Sequence, residues 1–198
     1  MILDNISRST ANELARDVRN LKYEIAESGV LFPRSRLFIG GAFRVTGGDG
    51  ESTIDANTFT NEGLNYVLNA AFGGGAPITQ FFLAPFSSNV TPNAGWTAAT
   101  FPGAATEFTA YTNPTRPQWV EANSDGQVIG NTASQAVFTF NAGGPYNLYG
   151  MALLSSSAKG AATGVLAAAM RFAAPRLNQL AGDRLAVEYT LSAMDDGL

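Results

Sequence analysis

The sequence predicts a mainly β protein: an antiparallel β-sandwich or jelly-roll-like domain with one packed helix, preceded by an N-terminal helical arm. Three features predict it. The second half breaks into short β-favouring runs separated by Gly, Pro, Asn and Ser, one helical period ends at a triple glycine, and an amphipathic segment lies ahead of Pro33. Residues 1–36 form the expected helix and arm, and residues 37–198 the β-rich domain.

Residues 10–28 read as the first helix. Ser9 or Thr10 can cap it, Glu13 stands where a capping-box partner would, and Gly29 follows as a stop. Its apolar positions Leu14, Val18, Leu21 and Ile25 are spaced four, three and four, the spacing of a heptad seam. Such a stripe buries itself either on the protein's own core or on a second surface, and so few heptads do not hold a coiled coil alone. Pro33 then prevents helix continuation, and Arg34 and Arg36 flank Ser35 in an expected exposed arm.

Residues 37–46 carry the strand formers Leu37, Phe38, Ile39, Phe43 and Val45. With the turn Gly47-Gly48-Asp49-Gly50 and residues 52–59 they make an expected hairpin. Residues 60–72 read as the packed helix, with Leu64, Val67, Leu68 and Ala71 on one face and Gly73-Gly74-Gly75 at its end. Gly63 weakens it by roughly 1 kcal/mol relative to Ala, so burial has to supply most of its stability. Seven further strands are expected at 79–86, 118–122, 127–131, 135–141, 148–155, 165–172 and 184–191. The clearest alternation is Leu185, Val187, Tyr189, Leu191. Many short strands between turn residues favour a sandwich.

Between residues 87 and 117 lies a long Pro-, Ala- and Thr-rich stretch with Trp96, Phe101, Phe108 and Tyr111. Its aromatics argue against disorder. They serve either as an internal lid on the core or as a contact loop, for which Trp96 and Phe101 are the candidates.

Composition narrows the chemistry. The chain has no His and no Cys, which removes the commonest general base and metal ligand, every thiol nucleophile and every disulfide. Only 14% of its 198 residues are charged, against about 25% typically, so a surface of Gly, Ser, Thr, Asn and Ala suited to protein contact is expected. Residues 1–44 hold seven bases and five acids, whereas the rest hold five bases and eleven acids, a net −6 that disfavours nucleic-acid phosphates. No run of eighteen apolar residues and no secretory signal is visible, so neither a membrane span nor export is expected, and assembly in the cytoplasm is.

Catalytic motifs are weak. Ser156-Ser157-Ala158-Lys159 fits a Ser-x-x-Lys spacing, but a turn through Gly160 explains it with fewer assumptions. Asp49/Glu51 and Asp195/Asp196 sit in turn-like or terminal sequence. Neither Gly47-Gly48-Asp49-Gly50-Glu51 nor Asn123-Ser124-Asp125-Gly126 supplies the ligand series of a calcium loop. No enzyme, cofactor or metal is expected.

The run Phe59-Thr60-Asn61-Glu62-Gly63-Leu64-Asn65-Tyr66, the aromatic-rich Gln80-Phe81-Phe82-Leu83-Ala84-Pro85-Phe86, and Thr115-Arg116-Pro117 with Trp119 resemble small structural proteins of tailed bacteriophages. The closing Ala181-Gly182-Asp183-Arg184-Leu185-Ala186-Val187-Glu188-Tyr189-Thr190-Leu191 is similar to the last strand of that group, so the resemblance spans roughly residues 59–193. Within the group it points to a capsid decoration (cement) protein on the exterior of the virion. That implies binding to the major capsid protein or other virion proteins and a symmetric homo-oligomer, trimer or dimer. The arm would then add an assembly interface of Leu14, Val18, Leu21, Ile25, Arg34 and Arg36. A neck, tail or head-fibre component is the alternative within the particle. An alternative of another class is a carbohydrate-binding adhesin presenting Trp96, Trp119, Tyr111 or Tyr146 to sugar rings.

Overall fold

Local turn chemistry sets the first strands. In a computed structural model, which describes residues 8–20, 23–25, 27, 29–33 and 37–195, β3 (Leu37–Gly47) and β4 (Ser52–Ala56) form the expected hairpin. Its turn closes with Gly50 at φ +84° and the Asp49 carboxylate accepting the Glu51 N–H at 3.0 Å. After β5 (Thr58–Phe59) comes α2 (Asn61–Ala71), then β6 (Phe81–Phe86), a single π-helical turn Pro102–Thr106, and β7 (Gln118–Trp119). The chain closes with β8 (Val128–Gly130), β9 (Ala136–Thr139), β10 (Tyr146–Leu154), β11 (Leu166–Gln179) and β12 (Arg184–Asp195).

These strands build two antiparallel sheets. A central sheet runs β5-β11-β10-β6-β7, and a flanking sheet runs β4-β3-β12-β8, with β9 also pairing β12. Between them lies the larger core, in which Phe43, Val45, Leu185, Val187 and Tyr189 of the flanking sheet meet Leu83, Leu148, Met151, Leu153 and Met170 of the central one. The flanking sheet keeps the two-residue alternation of a sheet solvated on one side. The central sheet does not, because its other face carries a second core. There Ala84, Phe86, Ala152, Leu154, Leu166 and Ala169 are covered by Trp96, Ala98, Phe101 and Ala105 from the long loop. Burial on both faces explains why β6, residues 150–154 of β10 and residues 166–170 of β11 read as unbroken apolar runs.

Two glycines permit close approaches to the central sheet. A Cβ on Gly63 of α2 would lie 2.8 Å from the Ala167 Cα and closer still to its carbonyl oxygen. One on Gly150 of β10 would collide with the Phe86 ring and the Met170 carbonyl. Gly63 weakens the helix in isolation, yet nothing larger fits where α2 rests on β11. Thr60 caps that helix: its Oγ1 accepts the Gly63 N–H at 3.0 Å and donates to the Leu166 carbonyl. The Glu62 carboxylate accepts the N–H groups of Ala98 and Leu166 at 2.8 and 2.7 Å, joining helix, loop and sheet at one oxygen.

Opposite β10, β11 carries a wide bulge. Between the pairs Gly150↔Arg171 and Leu148↔Arg176, β10 advances two residues while β11 advances five. The extra residues include Pro175, which has no N–H to pair. They turn Arg176 inward, where its Nη2 donates to the carbonyls of Val45 and Glu51 at 2.9 and 3.3 Å, and they aim the Ala173 N–H at the Asp55 carboxylate. Both contacts join the two sheets. So does the Trp119 indole, which donates to the Tyr189 carbonyl at 2.9 Å.

A second, smaller compact unit comprises the described parts of Met1–Phe38 and Ala193–Leu198, apart from Ile39–Ser192. In it α1 is the helix Arg8–Arg19, and β1 (Tyr23–Ile25) pairs β2 (Leu31–Pro33) across a turn with Gly29 at φ +78°. The expected helix over residues 10–28 therefore ends early. Tyr23 and Ile25 are β-favouring side chains and gain a strand partner across the glycine turn, which a continued helix would forgo.

Gly150→Ala is expected to lower stability by about 1–3 kcal/mol through forced displacement of Phe86. A urea-denaturation midpoint equal to that of the parent would count against the close approach described here.

Candidate interaction surfaces

The seam expected from Leu14, Val18, Leu21 and Ile25 is not one helical stripe. Leu14 and Val18 are half-buried on α1, Ile25 stands in β1 and is exposed, and Leu21, Arg34 and Arg36 lie outside the described residues. Trp96 and Phe101 are corrected outright as a contact loop. They are 8% and 0% exposed, and both rings meet Phe86 edge-on in the second core. Their burial follows from the need to cover the outer face of the central sheet. Of the aromatics considered for a sugar platform, Trp119 and Tyr111 are buried, and Tyr146 is half-buried with its hydroxyl donating to the Ala142 carbonyl.

The polar groups that looked reactive in sequence are engaged in holding the long loop. Arg116, fully buried, makes a two-pronged pair with Glu107: Nε donates to Oε1 at 2.8 Å and Nη2 to Oε2 at 2.6 Å. Its remaining donors reach the carbonyls of Ser156 and Ala161, and the Gly160 N–H donates to Glu107. Lys159, the basic member of the Ser-x-x-Lys spacing, donates to the carbonyls of Thr109 and Tyr111 at 3.2 and 2.7 Å and lies 3.8 Å over the Tyr111 ring. Burial pulls the Lys159 pKa down, opposed by the Glu107 charge. The Tyr111 phenol is pushed well above its usual range, first by burial, then by Glu107, with Arg116 opposing. Burial does the same to Tyr189, opposed by the hydrogen bond from Asn57. This knot anchors the 107–116 end of the loop to the 155–165 turn.

On the open face of the flanking sheet, a groove is lined by Ala42, Arg44, Thr46, Ile54, Glu188 and Thr190. Its charges answer one another, with Arg44 3.2 Å from Glu188 and the Gln135 amide donating to that same carboxylate at 2.7 Å. Among the described residues no group of three or more acids could hold a metal ion, and no helix is long and apolar enough to cross a membrane.

One surface stands out for what it lacks. From Gly63 to Thr106 the chain contains no Asp, Glu, Lys or Arg, and this run supplies most of α2, the glycine stretch after it and the covering loop. These segments adjoin: the Asn61 N–H donates to the Ala94 carbonyl, and the Ile78 N–H donates to the Tyr66 hydroxyl at 2.8 Å. Within this uncharged run the outer flank of α2 exposes Leu68 (56%), Ala71 and Phe72 (83%). The sequence pattern assigned Leu68 and Ala71 to the buried side; in the structure α2 turns about Gly63, and these residues face outward. Counting charges along the chain would have found the face, although helical periodicity pointed away from it.

No family model matches the chain, and no curated protein matches it.

Glu107→Gln leaves the Arg116 guanidinium buried without a counter-charge and is expected to lose about 3–5 kcal/mol, whereas replacing both partners with apolar residues restores much of it. Urea denaturation of both single variants and the double variant measures this, and a double loss equal to the sum of the two single losses would show that the pair is not coupled. Tyr111 and Tyr189 are held neutral in the fold, while an unfolded phenol ionises near pH 10. Their stabilisation is therefore complete below about pH 10 and is lost as pH rises above it. Tyr111→Phe, which removes a buried hydroxyl lacking a partner, is expected to leave neutral-pH stability unchanged or raised and to soften the alkaline loss, read from unfolding midpoints across pH.

Proposed function

We propose that this chain is a non-enzymatic structural protein of a bacteriophage particle, a capsid decoration (cement) protein that binds and stabilises the exterior of the head. The observation that carries the proposal is the uncharged face of α2 and its adjoining loops, with Phe72 projecting from it. Docking such a face against protein removes apolar area from water without desolvating a charge. The resemblance to tailed-phage structural proteins covers the segments that build this face. The anchoring of Lys159, Glu107 and Arg116 in loop structure supports a role in which side chains bind and do not transform.

Cementing follows by mass action. Only an assembled shell presents the complementary site, so each bound copy lowers the free energy of the assembled state and not of free subunits. The major capsid protein is the proposed partner. A neck, tail or head-fibre position is the second reading, supported by the amphipathic α1, and copy number per particle separates the two: hundreds for the shell, a dozen or fewer for the tail.

Particles assembled without this protein are expected to lose their contents at lower temperature than complete ones, and re-addition of the protein should reverse the defect. Phe72→Asp is expected to reduce incorporation at least ~10-fold with its fold intact. Equal thermal survival of complete and deficient particles would remove the cement reading, and undiminished incorporation of the Asp variant would remove this face from it.

A further inference from the structure

A cavity of about 140 Å³ opens at the end of the β3–β4 hairpin, lined by Gly47, Gly48, Asp49, Arg176, Gln179 and Asp183. Arg176 is its floor at 8% exposed, and Asp49 and Asp183 are exposed at its rim. The guanidinium makes its hydrogen bonds through one nitrogen alone: Nη2 donates to the carbonyls of Val45 and Glu51 and to the Thr53 hydroxyl. Nε is buried without a partner, and among the described residues Nη1 has none and no carboxylate pairs with Arg176. The bulge of β11 thus carries a nine-tenths-buried cation into the molecule and leaves part of it unanswered, which costs free energy until something in the cavity accepts from it.

Gly47 keeps a slot open in front of this cation. A Cβ built there would lie 2.6 Å from Asp49 Oδ1 and 3.7 Å from Arg176 Nη1, so carboxylate and guanidinium face each other across the glycine without forming an ion pair. One hydroxyl oxygen that donates to the carboxylate and accepts from the guanidinium spans roughly 4.5–5.5 Å, which such a slot admits. Both carboxylates are held by backbone groups and keep acceptor sites over: Asp49 takes the Glu51 N–H at 3.0 Å, and Asp183 takes the Leu180 N–H at 2.8 Å. Charge narrows the ligand. An anion would meet two carboxylates at the rim, and a cation would meet the guanidinium at the floor. A neutral group that donates and accepts at one atom meets neither objection, and that is the chemistry of a hydroxyl.

We propose that this cavity is a binding site for an uncharged polyol, the hydroxyl-bearing edge of a sugar unit, with adjacent hydroxyls donating to Asp49 and Asp183 and accepting from Arg176 Nη1. At about 140 Å³ it takes one edge of one unit, since pockets that enclose a whole ligand run to about 300–1,000 Å³. No aromatic ring lines it, so affinity rests on charge-assisted hydrogen bonds that replace those of water, and a single unit binds in the millimolar range. The site shares no residue with the exposed flank of α2 and does not depend on the particle reading.

The test uses the full chain and named probes: glycerol, the methyl glycosides of glucose, galactose and mannose, and acetate and methylammonium as charged counterparts. The NMR shifts of the Gly47 and Gly48 amides and of the Gln179 side chain are expected to move saturably with at least one glycoside, at millimolar concentration and more tightly than with glycerol. Gly47→Ala puts a methyl group in the slot. The Gly47 φ lies outside the left-handed region and the nearest atom is the movable end of Asp49, so the fold is expected to persist while binding falls at least ~10-fold. Asp183→Asn keeps an acceptor for the Leu180 N–H, removes the charge and should weaken binding by a similar factor. Circular dichroism checks that both variants fold. The absence of a saturable shift with every polyol overturns the proposal, and so does a glycoside that the Gly47→Ala variant binds as well as the parent. Acetate or methylammonium bound more tightly than every glycoside overturns it too, by showing a site for charge.

Discussion

The structure depends on one constraint: the central sheet is buried on both faces. A sheet in a two-layer sandwich can turn one face to water, but this one lies between the flanking sheet and a third layer made of the long loop. Its strands accordingly carry apolar residues at successive positions. Glycines stand where neighbours press closest, Gly150 admitting the Phe86 ring of the adjacent strand and Gly63 letting the helix backbone lie on Ala167.

A loop used as a layer has no hydrogen-bond ladder of its own, and burying it would strand backbone groups without partners. Three carboxylates and a guanidinium answer this need. Glu62 takes two N–H groups at the start of α2, Glu107 and Arg116 close the far end of the loop against the 155–165 turn, and Asp55 takes the Ala173 N–H freed by the β11 bulge. Charge that other proteins spread over their surface is here spent inside as fastening. The run from Gly63 to Thr106, which supplies most of the loop, itself carries no charged residue.

A chain without disulfides gains nothing from cross-linking its unfolded state and relies on packing and association. The polar ties are single points in this scheme. The Glu107–Arg116 pair is buried, and neither member can be given up without leaving the other uncompensated.

Much of the fold was legible from residue order. The glycine stop after residue 72, the Asp49 turn, the runs at 79–86 and 148–155, and the alternation through Leu185 to Leu191 are local signals, because backbone preference and side-chain period act over a few residues, and the structure places elements there. The first helix was overextended because the spacing of Leu14, Val18, Leu21 and Ile25 continues past the point where a glycine turn offers Tyr23–Ile25 a strand partner. β11 outran its expected end because Pro175 reads as a break, whereas a bulge absorbs it. What residue order alone determined was the sandwich class, the order of its elements and the scarcity of charge. Tertiary structure alone decided which surfaces face outward: Trp96 and Phe101 went inside and Leu68 and Phe72 outside, because an apolar side chain is buried by whichever distant segment reaches it, and periodicity along the chain carries no record of that partner.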